Sequence, residues 1–284
     1  MIPNSSYAYK HPDAQKNYVE VALEGQLGNQ FFQIATAYAY ALDHGLTLTV
    51  PDLVENPKFG IPQNAKKLFL GRINAFSPSK APRLKWREPS FNCTPIPSET
   101  RVSLKGYFQS EKYFKHRREE VLRLFAAPNG YNQRILAKYP FLASDALVVG
   151  VQIRDYRKES PTGKHHPTIG RRFYELAVSQ FPSDAIYLVS SNNIEYAKSC
   201  MDGLAEHIIY LPREDDMEEL YTLALCKSFI ISNSSFGWWG AWLCQNPSKV
   251  VVAPSPWFAL PYDSEKMERD LYFSGCRIID YNRY

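Results

Sequence analysis

The chain has 284 residues, 45% hydrophobic and 22% charged, which excludes a disordered or fibrous protein and predicts one large or two ordinary globular domains with ample core. A formal net charge of +4 is too small to argue for nucleic acid; it suits an anionic ligand without requiring one. Five widely spaced cysteines (Cys93, Cys200, Cys226, Cys244, Cys276) form no CxxC pair, so reduced thiols are expected, with neither a disulfide framework nor a zinc site.

In chain order, Tyr18-Val-Glu-Val-Ala-Leu-Glu24 reads as a strand. After a glycine turn, Phe31, Ala35, Tyr38 and Leu42 fall at helical spacing and Gly45 supplies a stop. Leu46–Val50 reads as the next strand, which completes a βαβ unit. Residues 51–100 hold many of the 20 prolines and little periodicity, so irregular loops with short pieces are expected. Val102–Lys105 reads as a strand leading to a helix from Glu111, with Phe114, Val121, Leu122 and Phe125 on one face. The connection at Ala126–Ala143 is the expected domain boundary, giving domains over 1–143 and 144–284, with the last ~20 residues as a candidate to pack back on the first domain. In the second half, Ala146–Ile153, Ala185–Val189, His207–Tyr210, Phe229–Ser232 and Val250–Ala253 are β-rich runs. Helical stretches around Arg171–Phe181, Ile194–Met201, Met217–Leu225 and Phe236–Leu243 lie between them, an alternation that predicts an α/β fold with a parallel sheet covered on both faces. The first twenty residues lack the apolar core of a signal peptide, and no apolar run approaches the ~20 residues of a membrane helix. A cytoplasmic location is therefore expected, with peripheral association at a membrane surface as the variant, and the sequons at Asn4, Asn92 and Asn233 carry little weight.

The most informative stretch is Asn233-Ser-Ser-Phe-Gly-Trp-Trp-Gly-Ala-Trp-Leu-Cys244, which follows the apolar run Ser228-Phe-Ile-Ile-Ser232. A buried strand running into small polar residues and then an apolar helix leaves free backbone N–H groups at the helix start, where the helix dipole also favours an anion. Capping of the helix by Asn233 or Ser234 explains the same residues equally simply. The stretch resembles the NSSFSWWGAWL segment of the α-1,2-fucosyltransferases, glycosyltransferase family 11. Gly25-Gln-Leu-Gly28-Asn29-Gln30-Phe31-Phe32-Gln33 is similar to that family's GGLGNQMFQ start, with Gln26 in place of a second glycine, and Gly106-Tyr-Phe-Gln-Ser-Glu-Lys-Tyr-Phe114 matches its GYFQSEKYF segment. The resemblance runs from about Val19 to about Phe258 and implies the GT-B type, two Rossmann-like domains facing a cleft. Ligands of open α/β sheets bind beyond the carboxyl ends of the strands, where all these motifs are expected. A dehydrogenase is the rival for this architecture, but the Gly25–Gly28 turn lacks GxGxxG spacing and no acidic residue is placed for a ribose.

Leu147-Val-Val-Gly-Val-Gln152-Ile-Arg154-Asp155-Tyr156 stands where the family carries HxRRxDY, with Gln152 for the histidine and two residues missing before Asp155. Aligned in this way, Arg154 matches the first arginine and can hold a diphosphate through parallel hydrogen bonds; an ungapped alignment brings Arg157 or Lys158 to the site instead. An ion pair between Arg154 and Asp155 is the structural alternative. Lys164, His165, His166, Arg171 and Arg172 follow and either compensate for the absent second arginine or form a solvated loop and helix start. Ser190-Ser191-Asn192-Asn193 ends the next strand, where Ser190 and Asn192 are candidates to reach a nucleotide and helix capping is the alternative. The acidic run Glu214–Glu219 is read first as a stabilised helix start. Gly28, Asn29 and Gln30 are candidates for the sugar or diphosphate from the first domain, with N-capping by Asn29 as the rival role. Trp238, Trp239 and Trp242 are expected to bury a helix face, with a sugar platform as the lesser alternative.

The resemblance implies transfer of L-fucose from GDP-β-L-fucose to the 2-hydroxyl of a galactose-type acceptor glycan, with inversion. Arg154, Asn233, Ser234, Ser235 and Phe236 at the helix start, with Gln152 and the Asn29 turn, are then the donor-binding candidates, and Asp155 is the nearest carboxylate for a base or for orienting Arg154. No Asp-x-Asp triplet occurs, so no metal and no cofactor beyond the GDP-fucose donor are expected. A GT-B protein that binds nucleotide or glycan without turnover, and a transferase using another donor sugar, are the alternatives.

Overall fold

The computed structural model describes residues 16–157, 159, 165–259 and 264–282, and Lys158 and Lys164 lie outside that set. The chain divides into two compact units, Met1–Pro128 and Asn129–Tyr284. The division falls at the start of the anticipated connection rather than at its end. The reason is a helix the sequence reading left out, Tyr131–Lys138, which is tied to the second unit: Arg134 pairs with Glu218 at 3.4 Å and the Tyr131 hydroxyl donates to Asp215 at 3.4 Å.

The first unit runs β1 (Tyr18–Val21), α1 (Leu27–His44), β2 (Thr47–Thr49), α2 (Asp52–Glu55), α3 (Ile61–Asn64), β3 (Leu84–Arg87), β4 (Arg101–Lys105) and α4 (Arg118–Leu124). Its strands pair in parallel in the order β2-β1-β4-β3. Gly25 turns the chain at φ +81 into α1, and Gly45 closes that helix in the left-handed conformation with its N–H on the Ala41 carbonyl. Phe31 and Phe32 are fully buried, and Phe31 packs on Phe125 at 4.2 Å and Phe69 at 5.7 Å. The helix expected from Glu111 forms instead as two short 3₁₀ turns followed by α4. β3 was not anticipated. Its Lys85 and Arg87 are exposed, so only alternate residues face the core, as suits an edge strand.

The second unit runs α5 (Tyr131–Lys138), β5 (Val148–Ile153), α6 (Arg171–Val178), β6 (Ile186–Ser191), α7 (Ile194–Met201), β7 (His207–Tyr210), α8 (Asp216–Ala224), β8 (Ser228–Ile231), α9 (Ser235–Leu243), β9 (Val251–Ser255), α10 (Ser264–Glu268) and β10 (Cys276–Asp280). Among the described residues the strands form one parallel sheet ordered β10-β9-β8-β5-β6-β7. The last strand, which the sequence left as a candidate to return to the first domain, pairs with β9 inside its own unit.

Strand alternation puts helices on both faces of this sheet. Val149, Val151 and Ile153 of β5 join a core with Phe173 and Tyr174 of α6 and Ala197 and Met201 of α7. The intervening residues face the other way, where Gly150 lies against Leu223 and Cys226 and Gln152 lies against Gly237. No helix among the described residues is long and apolar enough to cross a membrane. Successive strands step one way from β5 to β7 and the other way from β8 to β10. The direction of winding therefore reverses between β5 and β8, and the carboxyl ends of those two strands flank the crevice where ligands of such sheets bind.

Candidate active site

Register places the singled-out residues of the second unit at one edge of the sheet. Gln152 of β5 pairs with Ile231 of β8 and Ser190 of β6, so the residues just beyond these strands, Arg154–Tyr156, Asn192–Asn193 and Asn233–Ser234, come out side by side. Side chains then lock the three strand ends together. The Tyr156 hydroxyl donates to the Asn233 carbonyl at 2.9 Å, tying the end of β5 to the turn before α9. The Asn192 amide bridges to the Asp155 backbone in both directions, accepting its N–H at 2.8 Å and donating to its carbonyl at 2.9 Å.

At the start of α9, Asn233 is wholly buried and donates to the carbonyls of Pro167 at 2.8 Å and Trp257 at 3.0 Å. It fixes the turn rather than presenting its amide. Ser234 is the N-cap residue, yet its hydroxyl makes no capping bond. The N–H groups of Ser235, Phe236 and Gly237 belong to the first turn, where the helix offers no carbonyl to receive them. Ser235 and Phe236 are half-buried. Together they give a helix start with donors unmet by the helix itself, just past the strand that neighbours β5.

Arg154 keeps a partly accessible guanidinium 5.6 Å from the Tyr156 ring centre, and its terminal amino group meets Glu159 at 2.7 Å. It pairs with Glu159 rather than with the adjacent Asp155. Asp155 is 3% exposed and receives Arg157 through Nε at 2.8 Å and Nη2 at 2.9 Å, with Asn193 at 2.8 Å. The Arg157 bonds hold its carboxyl down to about 2, against the pull of burial. A carboxylate so weakly basic, with both oxygens occupied, is poorly suited to take a proton from an incoming hydroxyl. It anchors Arg157, which also lies over the Tyr196 ring at 4.2 Å.

The remaining candidates sort by their partners. Gln152 is buried beneath α9 and accepts from the Ser232 hydroxyl, so its amide serves packing. Ser190 donates to Glu219 at 2.7 Å, inside the unit. Asn193, not Asn192, caps α7 through Tyr196. Arg171 and Arg172 pair with Glu175 at 3.0 and 3.4 Å on the surface of α6. His166 comes closer, its ring stacked on Tyr156 at 4.7 Å and its pKa lowered to about 4, chiefly by burial. Trp238, Trp239 and Trp242 are at most 1% exposed and pack on one another at 5.1–6.2 Å, which rules them out as a sugar platform.

In the first unit Gln30 is fully buried and spent on structure: Nε2 donates to the carbonyls of Gly25 and Phe59, each at 3.0 Å, and Oε1 accepts from Asn64 at 2.9 Å. Asn29 is half-buried and accepts from Gln109 of the GYFQSEKYF segment at 2.8 Å. It is not the cap of α1, a position held by Gln26. Gly28 lies buried in the first turn, while the close approach falls at Gly25, where a Cβ would stand 2.2 Å from the Asn29 amide.

Three participants escaped sequence reading. Glu159 sits in a loop five residues past Arg154 with no local pattern to mark it. Glu219 was absorbed into an acidic helix start, although its place beside Leu220 on the buried side of α8 was readable. Gly237 stands where the quoted family segment has serine, and a Cβ there would lie 2.8 Å from the Gln152 Cβ.

The family model of glycosyl transferase family 11 matches residues 2–274. The chain belongs to glycosyltransferase family 11. This family 11 chain is 24% identical to an α-1,2-colitosyltransferase of Escherichia coli over 84% of its own length and 92% of that protein. It is 23% identical to galactoside α-(1,2)-fucosyltransferase 2 of Oryctolagus cuniculus over 77% of its own length and 65% of that protein. Its fold is shared with a mutant of Arabidopsis thaliana FUT1 in complex with GDP, at a TM-score of 0.53 and 16% identity over 83% of this chain and 70% of that one. The family 11 chain is thus a glycosyltransferase, and its two units, each with a parallel α/β sheet, are those of the GT-B class.

Proposed function

We propose that the chain transfers L-fucose from GDP-β-L-fucose to the 2-hydroxyl of a galactose-type acceptor glycan, with inversion and without a metal ion. The observation that carries this reading is the Tyr156–Asn233 hydrogen bond at 2.9 Å, which joins the Arg154 strand end to the turn before α9 at the reversal point of the sheet. In the reaction the acceptor oxygen bonds to the sugar C1 and the bond from C1 to the phosphate oxygen breaks. GDP leaves with the electron pair and the hydroxyl proton passes to solvent or a base. Negative charge grows on the diphosphate as that bond breaks, so donors already aimed at it lower the barrier more than they strengthen ground-state binding. Arg154 supplies a planar cation and the first turn of α9 supplies N–H groups, with Ser235 adding a hydroxyl. Metal independence rests on the absence of any Asp-x-Asp triplet in the sequence.

A second reading, the same chemistry with another deoxy sugar, is favoured by one observation, the colitosyltransferase among the relatives. Purified protein incubated with labelled GDP-fucose and a galactosyl disaccharide tests both, with the product linkage read by NMR. A 2-linked fucoside is the expected product. Turnover only with another nucleotide sugar would establish the second reading, and GDP binding without turnover on any donor would make the chain a binding protein.

A further inference from the structure

Two arginines lie three residues apart at the end of β5, and they meet their carboxylates in different ways. Arg157 offers Asp155 its side edge, with Nε at 2.8 Å on one oxygen and Nη2 at 2.9 Å on the other. That fork is saturated. Arg154 offers Glu159 a single nitrogen, with Nη2 at 2.7 Å from Oε1 and 2.9 Å from Oε2. Among the described residues no partner holds its Nε or Nη1. Glu159 is itself held: the Asn192 Nδ2 donates to its Oε1 at 2.9 Å, and the same amide is fastened to the Asp155 backbone by two bonds. A guanidinium gripped at one tip by a carboxylate that is itself hydrogen-bonded has fewer directions in which to turn its other donors.

We propose that Glu159 is a positioning residue that aims the open edge of Arg154 at the leaving diphosphate. The assignment rests on the proposed role of Arg154 in holding that diphosphate. A carboxylate beside an anion site costs ground-state affinity, since like charges repel. Its presence makes sense where orientation in the transition state outweighs that cost, and this chain lacks the second arginine of the HxRRxDY pattern, so more rests on how Arg154 is aimed.

The test compares the parent with Glu159→Ala, Glu159→Gln and Arg154→Ala, each checked for an unchanged thermal melt. The first readout is the ¹⁵N NMR signal of the Arg154 Nε–H during titration with GDP, which does not depend on turnover. GDP should shift that signal in the parent and in Glu159→Gln, which keeps an acceptor oxygen. In Glu159→Ala the shift should fall to less than half. The second readout is turnover: kcat should drop at least 10-fold in Glu159→Ala, with the Kd for GDP changed less than threefold, and Glu159→Gln should recover a third or more of the parent kcat. A parent-sized GDP shift in Glu159→Ala overturns the proposal. So does several-fold tighter GDP binding with kcat unchanged, which would make Glu159 a competitor of the diphosphate. Arg154→Ala separates the two layers. If it binds GDP and turns over like the parent, the role given to Arg154 fails; if it is crippled while Glu159→Ala is not, only the positioning role fails.

Discussion

At the scale of single residues, the decisive feature is which polar groups are already spent. Asp155, Gln152, Ser190 and Asn233 are committed to internal partners, whereas Arg154 retains donors. Arg154→Ala is therefore expected to reduce kcat by roughly 10²–10³-fold, the loss typical of one charge-stabilising donor. Arg154→Lys should recover little, because a single ammonium cannot reproduce the planar fork; steady-state kinetics on both variants checks this, and near-parental rates would remove Arg154 from the site. Glu219 gives a pH signature. Burial raises its carboxyl from the ordinary 4.5 to about 7, partly offset by the Ser190 bond, and one oxygen has no hydrogen-bond partner among the described residues. Between those values the folded chain holds a proton that the unfolded chain has lost. Its stabilising contribution is thus complete below about pH 4.5, declines through the interval and is gone above about pH 7. The full effect is on the order of 3–4 kcal/mol at most, at ~1.4 kcal/mol per pKa unit. Urea unfolding of the parent and Glu219→Gln at pH 5 and pH 8 should show the parent losing stability on that rise relative to the variant. A pH-independent difference would mean that Glu219 is charged in the fold throughout.

At the scale of elements, α9 is the part on which both fold and site depend. Its apolar side is a block of indoles, its first turn faces the strand ends, and it rests on β5 through Gly237 and Gln152. Gly237→Ala would drive a Cβ to 2.8 Å from the Gln152 Cβ, a backbone-attached atom with no rotamer to escape into. The helix must lift, at about 1–3 kcal/mol of stability, as for other overpacked cores. Chemical unfolding measures that loss, and GDP titration should show weaker binding because the anion-facing turn moves with the helix. A variant as stable as the parent would show the β5–α9 contact to be softer than its geometry. The sequence made α9 and its strand legible because an unbroken apolar run followed by Asn-Ser-Ser has few other solutions. It did not reveal the contact with Gln152, since a residue pair some 85 positions apart leaves no periodic trace in one sequence.

At the scale of the whole molecule, the alternation of β-rich and helical runs was enough for the second sheet from β5 to β9, each strand placed within a few residues. It failed where packing, not pattern, decides. The short strand β3 has only half its residues inward, and β10, Cys276-Arg-Ile-Ile-Asp280, has no alternating pattern and no fully buried residue, so it is defined by its backbone ladder with β9. The division falls inside the expected connection but before α5, whose single fully buried residue, Ile135, leaves little pattern to mark it as a helix of the second unit; it meets α8 through Tyr131 on Tyr221 and two surface ion pairs. The site was legible as strand ends but not as roles: Arg154 and Asp155 look like a natural pair in sequence, and the structure gives each a different partner. One expectation belongs to the molecule entire. Transfer activity should survive excess EDTA without added metal, and loss on chelation that Mn²⁺ or Mg²⁺ restores would sink the metal-free mechanism.

The packing of Trp238, Trp239 and Trp242 also has an optical meaning. Trp238 and Trp242 lie 6.2 Å apart at 10° and each meets Trp239 near 5.1 Å, close enough for the three chromophores to exchange excitation and act as one emitter. Of the five tryptophans, only Trp86 and Trp257 lie elsewhere in the chain, and excitation at 295 nm leaves the 19 tyrosines largely unexcited. Tryptophan fluorescence excited at 295 nm is therefore expected to report mainly on the helix that begins at the proposed diphosphate site, and the indole bands of the near-ultraviolet circular dichroism likewise. Addition of GDP should change both signals without any label, and the same addition to Gly237→Ala should change them less. Signals indifferent to saturating GDP would place the nucleotide away from α9.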